Sequence, residues 1–343
     1  MPIATTEQYT QMLDNARKGG FAYPAINVVG LEGLNAVMQA FAEAKTDGII
    51  QVSTGGGKHA SGGIDEALGA MIIAEAAHVI AEQYPVLIAL HTDHCVPEKV
   101  DSFMIPLIEA SEKRVAAGQK PLFNSLMFDG SVLPLAENMR IGKALHERMT
   151  KIGMLIEVET GVVGGEEDGI DNSDAKSEEL YTSPEEMVYV YEQLADIGPF
   201  MYAATFGNVH GVYKPGNVKL KPSILHDGQL AVCSKHATDK NPLNLVFHGG
   251  SGSSKDEIAE TLHYGVVKMN VDTDTQYAFT RPIVDHLLKN YDGILRIDGE
   301  VGNKKVYDPR AYLKKGTDNM KQRVIEAVND LNGAGTSLLN TSR

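Results

Sequence analysis

The sequence predicts a single (β/α)8 TIM barrel, an α/β domain over 1–343 that closes with a C-terminal helical extension, and three observations predict it. Eight short apolar segments recur with helix-like stretches between them. The connections that follow these segments are often long and rich in Gly, Asp and Ser, whereas those that lead into them are terse. No Pro/Ser-rich linker or low-complexity tract interrupts the alternation, so no domain boundary is visible.

In chain order the segments are "YPAINV" (23–28), "GIIQVS" (48–53), "VLIALHTDH" (86–94), "PLFNSLMF" (121–128), "MLIEVETG" (154–161), "FMYAATFG" (200–207), "LNLVFHGG" (243–250) and "VVKMNVDT" (266–273). Near-continuous Val, Ile and Leu runs of this length read as parallel strands buried on both faces. Stretches such as "LEGLNAVMQAFAEA" and "SPEEMVYVYEQLADI" supply the crossover helices between them. The long connections, "TGGGKHASGGIDE", "GVVGGEEDGIDNSDAKSEELYTS" and "GNVHGVYKPGNVKLKPS", then lie at the carboxyl-end face of the barrel, where active sites sit.

Composition narrows the function. With 343 residues, 43% of them hydrophobic, the chain can bury a large core. A formal net charge of -14 argues against nucleic acid or anionic lipid as a partner, since both ask for basic patches. An anionic small molecule would need a local positive site. Cys95 and Cys233 are too few for a disulfide framework, the start "MPIATTEQYTQML" lacks the regions of a signal peptide, and no apolar run approaches the ~20 residues that span a bilayer. A cytoplasmic protein is expected, with no membrane and no nucleic-acid partner.

Three histidines, His94, His210 and His248, fall at or just beyond the ends of segments three, six and seven. A barrel gathers those ends, and three neutral imidazoles around an open fourth position make a catalytic zinc site. His91 lies three residues before His94, so in an extended strand the two face opposite ways, and His91 reads as packing or support. Cys95 is either a soft ligand beside His94 or a small buried residue, with the latter favoured. Asp93 stands between the histidines. Glu157 and Glu159, two apart in "EVETG", share one face, and "GGEEDG" frames Glu166, Glu167 and Asp168 with glycines, the pattern of a mobile lid that carries a base. "HGGSGS" (248–253) and "NVDTDT" (270–275) end segments seven and eight, where barrels hold phosphate on backbone N–H groups, and Lys214 adds a positive charge. No lysine stands at a strand end to form a Schiff base.

"HTDHC", "GGEEDG", "FGNVHGVYKPGNVKL", "FHGGSGS" and "GVVKMNVDTDTQYAFT" resemble the signatures of the class II, zinc-dependent fructose-1,6-bisphosphate aldolases, and the resemblance runs from "YPAIN" to "YDPRAYLKKG". It implies a homo-oligomeric barrel enzyme, dimer or tetramer, of glycolysis and gluconeogenesis that reversibly cleaves fructose 1,6-bisphosphate to dihydroxyacetone phosphate and glyceraldehyde 3-phosphate. By motif, His94, His210 and His248 become the zinc ligands, Asp93 the acid/base on the aldehyde oxygen and Glu167 the loop base. A second divalent metal maps to Asp129 and Glu159, and a monovalent cation, K+ or Na+, is also implied. Dihydroxyacetone phosphate maps to Gly211, Gly249, Gly250, Ser251, Asn270, Val271, Asp272 and Thr273, with Lys214 as the nearby charge and Ser53 and Asn27 near the other fragment. Arg310 in "YDPR" is similar to the arginine that reaches a neighbouring subunit's site to grip the far phosphate. Leu126 departs from the pattern, standing where relatives carry histidine. Three rival readings are a tagatose-1,6-bisphosphate aldolase, a zinc-dependent barrel hydrolase, disfavoured because "AINVVG" has no His-x-His, and a non-catalytic binding protein, which would not need Asp93, Glu167 and three metal ligands together.

Overall fold

A computed structural model describes residues 2–161, 163–167, 170–171, 180–210, 220–250, 253–295 and 302–339, without the side chains of 164–167, 170–171 and 209–210. All eight expected strands form, each with slightly trimmed ends: β1 (Tyr23–Asn27), β2 (Gly48–Val52), β3 (Ile88–Thr92), β4 (Ser125–Phe128), β5 (Leu155–Thr160), β6 (Phe200–Ala204), β7 (Leu245–Phe247) and β8 (Val266–Val271). They close in sequence order into a single parallel barrel, β8 pairing with β1 through Ala25–Asn270 and Ile26–Val271. Closure leaves no sheet edge, so these strands have none of the unpaired backbone that an open sheet exposes.

Two apolar cores result. Outward residues such as Leu126, Phe128, Ile156 and Tyr202 meet the surrounding helices, which contribute Val37, Phe41, Met149 and Leu194. The lower half of the barrel is filled by Tyr23, Ala25, Ile49, Ala89, Leu155 and Met201, and the helix Thr6–Gly19 caps that end by adding Tyr9, Met12, Leu13 and Ala16. Pairing sets Asn27, Gln51, His91 and Ser125 side by side on β1 to β4, so a polar layer begins above the apolar one.

Two connections differ from a plain reading of composition. The glycine-rich stretch after β2 forms a helix, Thr54–Ala60, capped by Ser53, whose Oγ accepts from the Gly56 N–H at 3.1 Å. Its glycines serve packing: a Cβ on Gly57 would stand 2.2 Å from the Glu66 carbonyl oxygen, and one on Gly69 would stand 1.7 Å from that of Gly57. The two backbones can approach this closely only without side chains. After β5 the long connection holds short strands, Gly164–Glu167 and Ile170–Asp171, paired antiparallel, and the first also pairs with Val209–His210.

The long C-terminal helix Pro309–Asp330 packs on the helices Leu31–Ala44 and Thr273–Lys289. Beyond it the chain returns under β2, where buried Asp47 accepts from Ser337 Oγ at 2.7 Å, the Leu338 N–H at 2.8 Å and the Leu87 N–H at 2.8 Å. Burial pushes this carboxyl upward, and the three donors only partly oppose it. A raised folded value means that the ionised carboxyl costs stability at neutral pH, and that the cost fades as pH falls through that value. Asp47→Ala removes this cost but orphans up to three donors at about 1–3 kcal/mol each, so a net loss of about 2–3 kcal/mol is expected. Thermal denaturation checks it: the variant should melt several degrees lower, and an unchanged melting point would mean that the clasp contributes nothing.

Candidate active site

The upper layer is built by strand parity. Asp93 follows β3, and its N–H donates to the Val52 carbonyl at 3.0 Å, so pairing with β2 continues one residue past the strand. Its carboxylate receives two amide donors, Asn27 Nδ2 on Oδ2 and Asn270 Nδ2 on Oδ1, each at 2.9 Å. Burial pushes this carboxyl up, but the neighbouring His94, Lys268 and His248 outweigh it and hold the group below the usual carboxylate range.

His94 Nδ1 lies 2.9 Å from Asp129 Oδ2 and 3.5 Å from Glu159 Oε2, and its Nε2 lies 4.0 Å from Asp93 Oδ1. His248 follows β7 and presents Nδ1 3.3 Å from Glu159 Oε2, with Nε2 2.7 Å from Glu157 Oε1. The two rings meet edge to face, centroids 4.7 Å apart. Ser131 fixes Asp129 through its N–H at 3.1 Å and Oγ at 2.6 Å, both on Oδ1. Burial opposes ionisation of Asp129, yet His94 and Ser131 bring its value down to about 2. Burial likewise opposes a charged His248, but Glu159 and Glu157 push it up to about 9.

These residues suit a divalent cation. Asp93, His94 and His248 form one group, and His94, Asp129 and Glu159 another, each offering three ligand atoms within 4.8 Å of one another. Imidazole nitrogen with carboxylate oxygen is a donor set for zinc and neighbouring borderline ions. Glu159 Oε2 is buried between the two imidazoles without a hydrogen bond. Among the described residues, Asp93, Asp129, Glu157 and Glu159 set against Lys268 leave three uncompensated negative charges in the layer when its histidines are neutral. Buried charge without a partner is costly, so a doubly charged ion fits both the geometry and the balance. Cys95 is the small buried residue: its thiol faces the Val96 carbonyl at 3.7 Å, and burial pushes it up to about 12, far from a thiolate ligand.

Asn27, Asp93, His94, Asp129, Glu159, His248 and Asn270 are therefore brought together. Ser53 sits at the end of β2 as the helix cap already described. Gly249 adopts φ 62°, a left-handed conformation that favours glycine, and a Cβ on Gly250 would come within 2.0 Å of Met269 Cε, so the Met269 side chain would have to move to admit one. Val271 closes β8, and Asp272 with Thr273 opens the 17-residue helix Thr273–Lys289, a helix N-terminus of the kind that attracts anions. Arg310 is exposed and donates through Nε at 3.0 Å and Nη2 at 2.6 Å to Asp308, apart from this cluster among the described contacts. The backbones of Glu167 and His210 lie in the short strands Gly164–Glu167 and Val209–His210, which pair with each other, while their side chains, along with Gly211, Lys214, Ser251 and Asp168, lie outside the described residues. Leu126 faces the outer helices and so does not border the Asp129 group.

In the layer beneath, sequence reasoning named Glu157 and read His91 as packing or support, but missed Lys268. His91 shares the inward face of β3 with Asp93, with Nδ1 2.7 Å from Ser125 Oγ and Nε2 3.2 Å from Glu157 Oε2. Lys268, fully buried on β8, lies 2.9 Å from Glu157 Oε2 and donates to Asn270 Oδ1 at 2.7 Å. A lysine is thus present inside the barrel, though not at a strand end. Glu157 pairs with its ammonium, and a buried charge left by removing one partner would cost about 3–5 kcal/mol.

The family model described as fructose-bisphosphate aldolase class-II matches residues 7–336. A fructose-bisphosphate aldolase of Mycobacterium tuberculosis is 55% identical over 344 residues, covering 98% of this chain and 99% of the relative. One from Corynebacterium glutamicum is 52% identical over 341 residues, covering 98% of each. The crystal structure of fructose-bisphosphate aldolase from Campylobacter jejuni superposes with a TM-score of 0.86 at 40% identity, covering 97% of both chains.

His94 belongs to both cation groups, and that makes a test. After chelation and dialysis, calorimetric titration with Zn2+ should show His94→Ala weakened by at least about 100-fold, against about 10-fold for Asp129→Ala, because the second removes only one carboxylate. Equal losses would mean that the two groups do not share a ligand.

Proposed function

The chain belongs to the class-II fructose-bisphosphate aldolase family, and we propose that it reversibly cleaves fructose 1,6-bisphosphate to dihydroxyacetone phosphate and glyceraldehyde 3-phosphate with a zinc ion held by His94, His210 and His248. One observation carries this reading: Asp93, with both carboxylate oxygens held by amide donors, stands beside two imidazoles and two further carboxylates at the carboxyl-end face of the barrel. Zinc, when bound, supplies Lewis-acid stabilisation of the negative charge that develops on the ketose fragment as the central carbon bond breaks.

The chain's own residues do the rest. Asp93 takes the proton from the hydroxyl that becomes the aldehyde oxygen during cleavage, and returns it in condensation. Asn27 and Asn270 orient its carboxylate before substrate arrives, so little ordering remains to be done during the reaction. Glu167, on the connection after β5, exchanges the proton on the carbon of the ketose fragment. A phosphate is received by backbone N–H groups of the turn Gly249–Ser251 and of the helix start at Asp272 and Thr273, the kind of site that binds anions without a formal charge. Arg310 reaches a neighbouring subunit's far phosphate, which requires a homo-oligomer and release of its pairing with Asp308. Asp129 and Glu159 hold a second divalent ion. A place in glycolysis and gluconeogenesis, in the cytoplasm, follows from this chemistry. Relatives at 52–55% identity named fructose-bisphosphate aldolase favour the fructose epimer over tagatose.

Two tests separate the parts. Excess chelator should abolish cleavage and added Zn2+ restore it, while borohydride with substrate should leave activity intact; the opposite pattern in a coupled assay would point to a Schiff base on Lys268. Glu167→Gln should slow solvent exchange of the dihydroxyacetone phosphate hydrogen by about 10²-fold or more, whereas Asp93→Asn should leave that exchange comparatively intact and suppress cleavage. Glu166→Gln is the control, because an adjacent carboxylate on the same strand could substitute. Normal exchange in both glutamine variants would place the base elsewhere.

A further inference from the structure

Glu157 and Lys268 are absent from both groups of candidate ligands, yet they contact the site from below on two sides. Glu157 Oε1 lies 2.7 Å from His248 Nε2, while its Oε2 lies 2.9 Å from Lys268 Nζ. Lys268 Nζ also lies 2.7 Å from Asn270 Oδ1, and Asn270 Nδ2 lies 2.9 Å from Asp93 Oδ1. All of these groups are buried.

Donor and acceptor chemistry removes the ambiguity in each link. A carboxylate paired with an ammonium can only accept, so the single proton of a neutral His248 ring must sit on Nε2, leaving the Nδ1 lone pair on the side of Glu159 and His94. An ammonium can only donate, so the atom of Asn270 that faces Lys268 must be its oxygen, and the amide NH2 is thereby turned onto Asp93. We propose that Glu157 and Lys268 are the positioning pair of this site: Glu157 sets the tautomer of His248 so that Nδ1 meets the cation, and Lys268 sets the amide orientation of Asn270 so that it donates to Asp93. One buried ion pair thus aligns the cation-binding half and the proton-transfer half together. His91 closes the third side of Glu157, at 3.2 Å from Oε2 and outside hydrogen-bond alignment.

The inference rests on the zinc reading of the site, and the experiment keeps the two apart. In the zinc-loaded wild-type protein, 15N NMR of labelled histidine should show His248 coordinated through Nδ1 and protonated at Nε2. Coordination through Nε2 overturns the proposal without any variant. Glu157→Gln and the charge-balanced double variant Lys268→Met/Glu157→Gln should each bind Zn2+ about 10- to 100-fold more weakly in competition with a chromophoric chelator, the range found when the partner of a ligating histidine is lost. Lys268→Met, assayed at saturating Zn2+, should lower kcat for cleavage with little change in KM, because Asp93 loses its orientation rather than the substrate its contacts. Wild-type zinc affinity in the double variant, or a change confined to KM in Lys268→Met, overturns the pair's role. A wild-type protein that binds no zinc fails the metal reading instead. Should the single variants not fold, the double variant and the wild-type spectrum decide.

Discussion

Glu157 and Lys268 meet at 2.9 Å inside a closed barrel, with neither side chain exposed. Taking two such charges out of water costs several kcal/mol per ion, and a well-packed apolar pair of the same volume would be as stable or more so. The pair is therefore poorly explained as a source of stability. What it does is divide the barrel. Below it lie Ala25, Ala89, Leu155 and Met201, against which the helix Thr6–Gly19 can pack without meeting a charge. Above it, among the described residues, lie three further carboxylates and two imidazoles that would repel or scatter without a fixed charge beneath them. The contacts run outward from the pair, to His248 and His91 through Glu157 and to Asn270 through Lys268.

Much of this was legible, and parity was the reason. Continuous Val, Ile and Leu runs located all eight strands because a strand buried on both faces has no polar side to blur its edges. Glu157 and Glu159, two apart, were placed on one face and are. The same parity applied to His91 and Asp93 would have turned His91 inward; comparing it with His94, which lies beyond the strand, hid this. Lys268 escaped for a related reason, since attention to strand ends passes over a residue in mid-strand. Its spacing of two from Asn270 was the available signal. The pairing is also irregular there, shifting between Leu245–Val266 and Val246–Lys268, so the inward register of β8 could not be read from β7 alone.

Composition misled where glycine has two uses. "TGGGKHASGG" reads as a loop if glycine means freedom, but Gly57 and Gly69 are there because backbone meets backbone between the helices Thr54–Ala60 and Glu66–Ala81. No local pattern distinguishes a hinge from such a contact, because the partner is supplied by tertiary packing. Leu126 shows the converse. It departs from a family pattern close in sequence to Asp129, yet it lies on the outward face of β4 and packs among the outer helices.

The charge balance sets how an anionic substrate could be accepted at all. A chain of net charge -14 repels a bisphosphate at long range, but exposed charges are screened beyond about 8 Å at physiological ionic strength, so most of that repulsion does not reach the site. The local charges do. With neutral histidines the layer around Asp93 is negative, and Lys268 is already committed to Glu157 and Asn270. A divalent ion held by this layer removes most of the imbalance, and the backbone N–H groups at the start of Thr273–Lys289 add a positive potential that does not depend on side-chain ionisation. Cation binding and anion acceptance are then one electrostatic problem in this family member: carboxylates numerous enough to hold the ion would bar the substrate until the ion is in place.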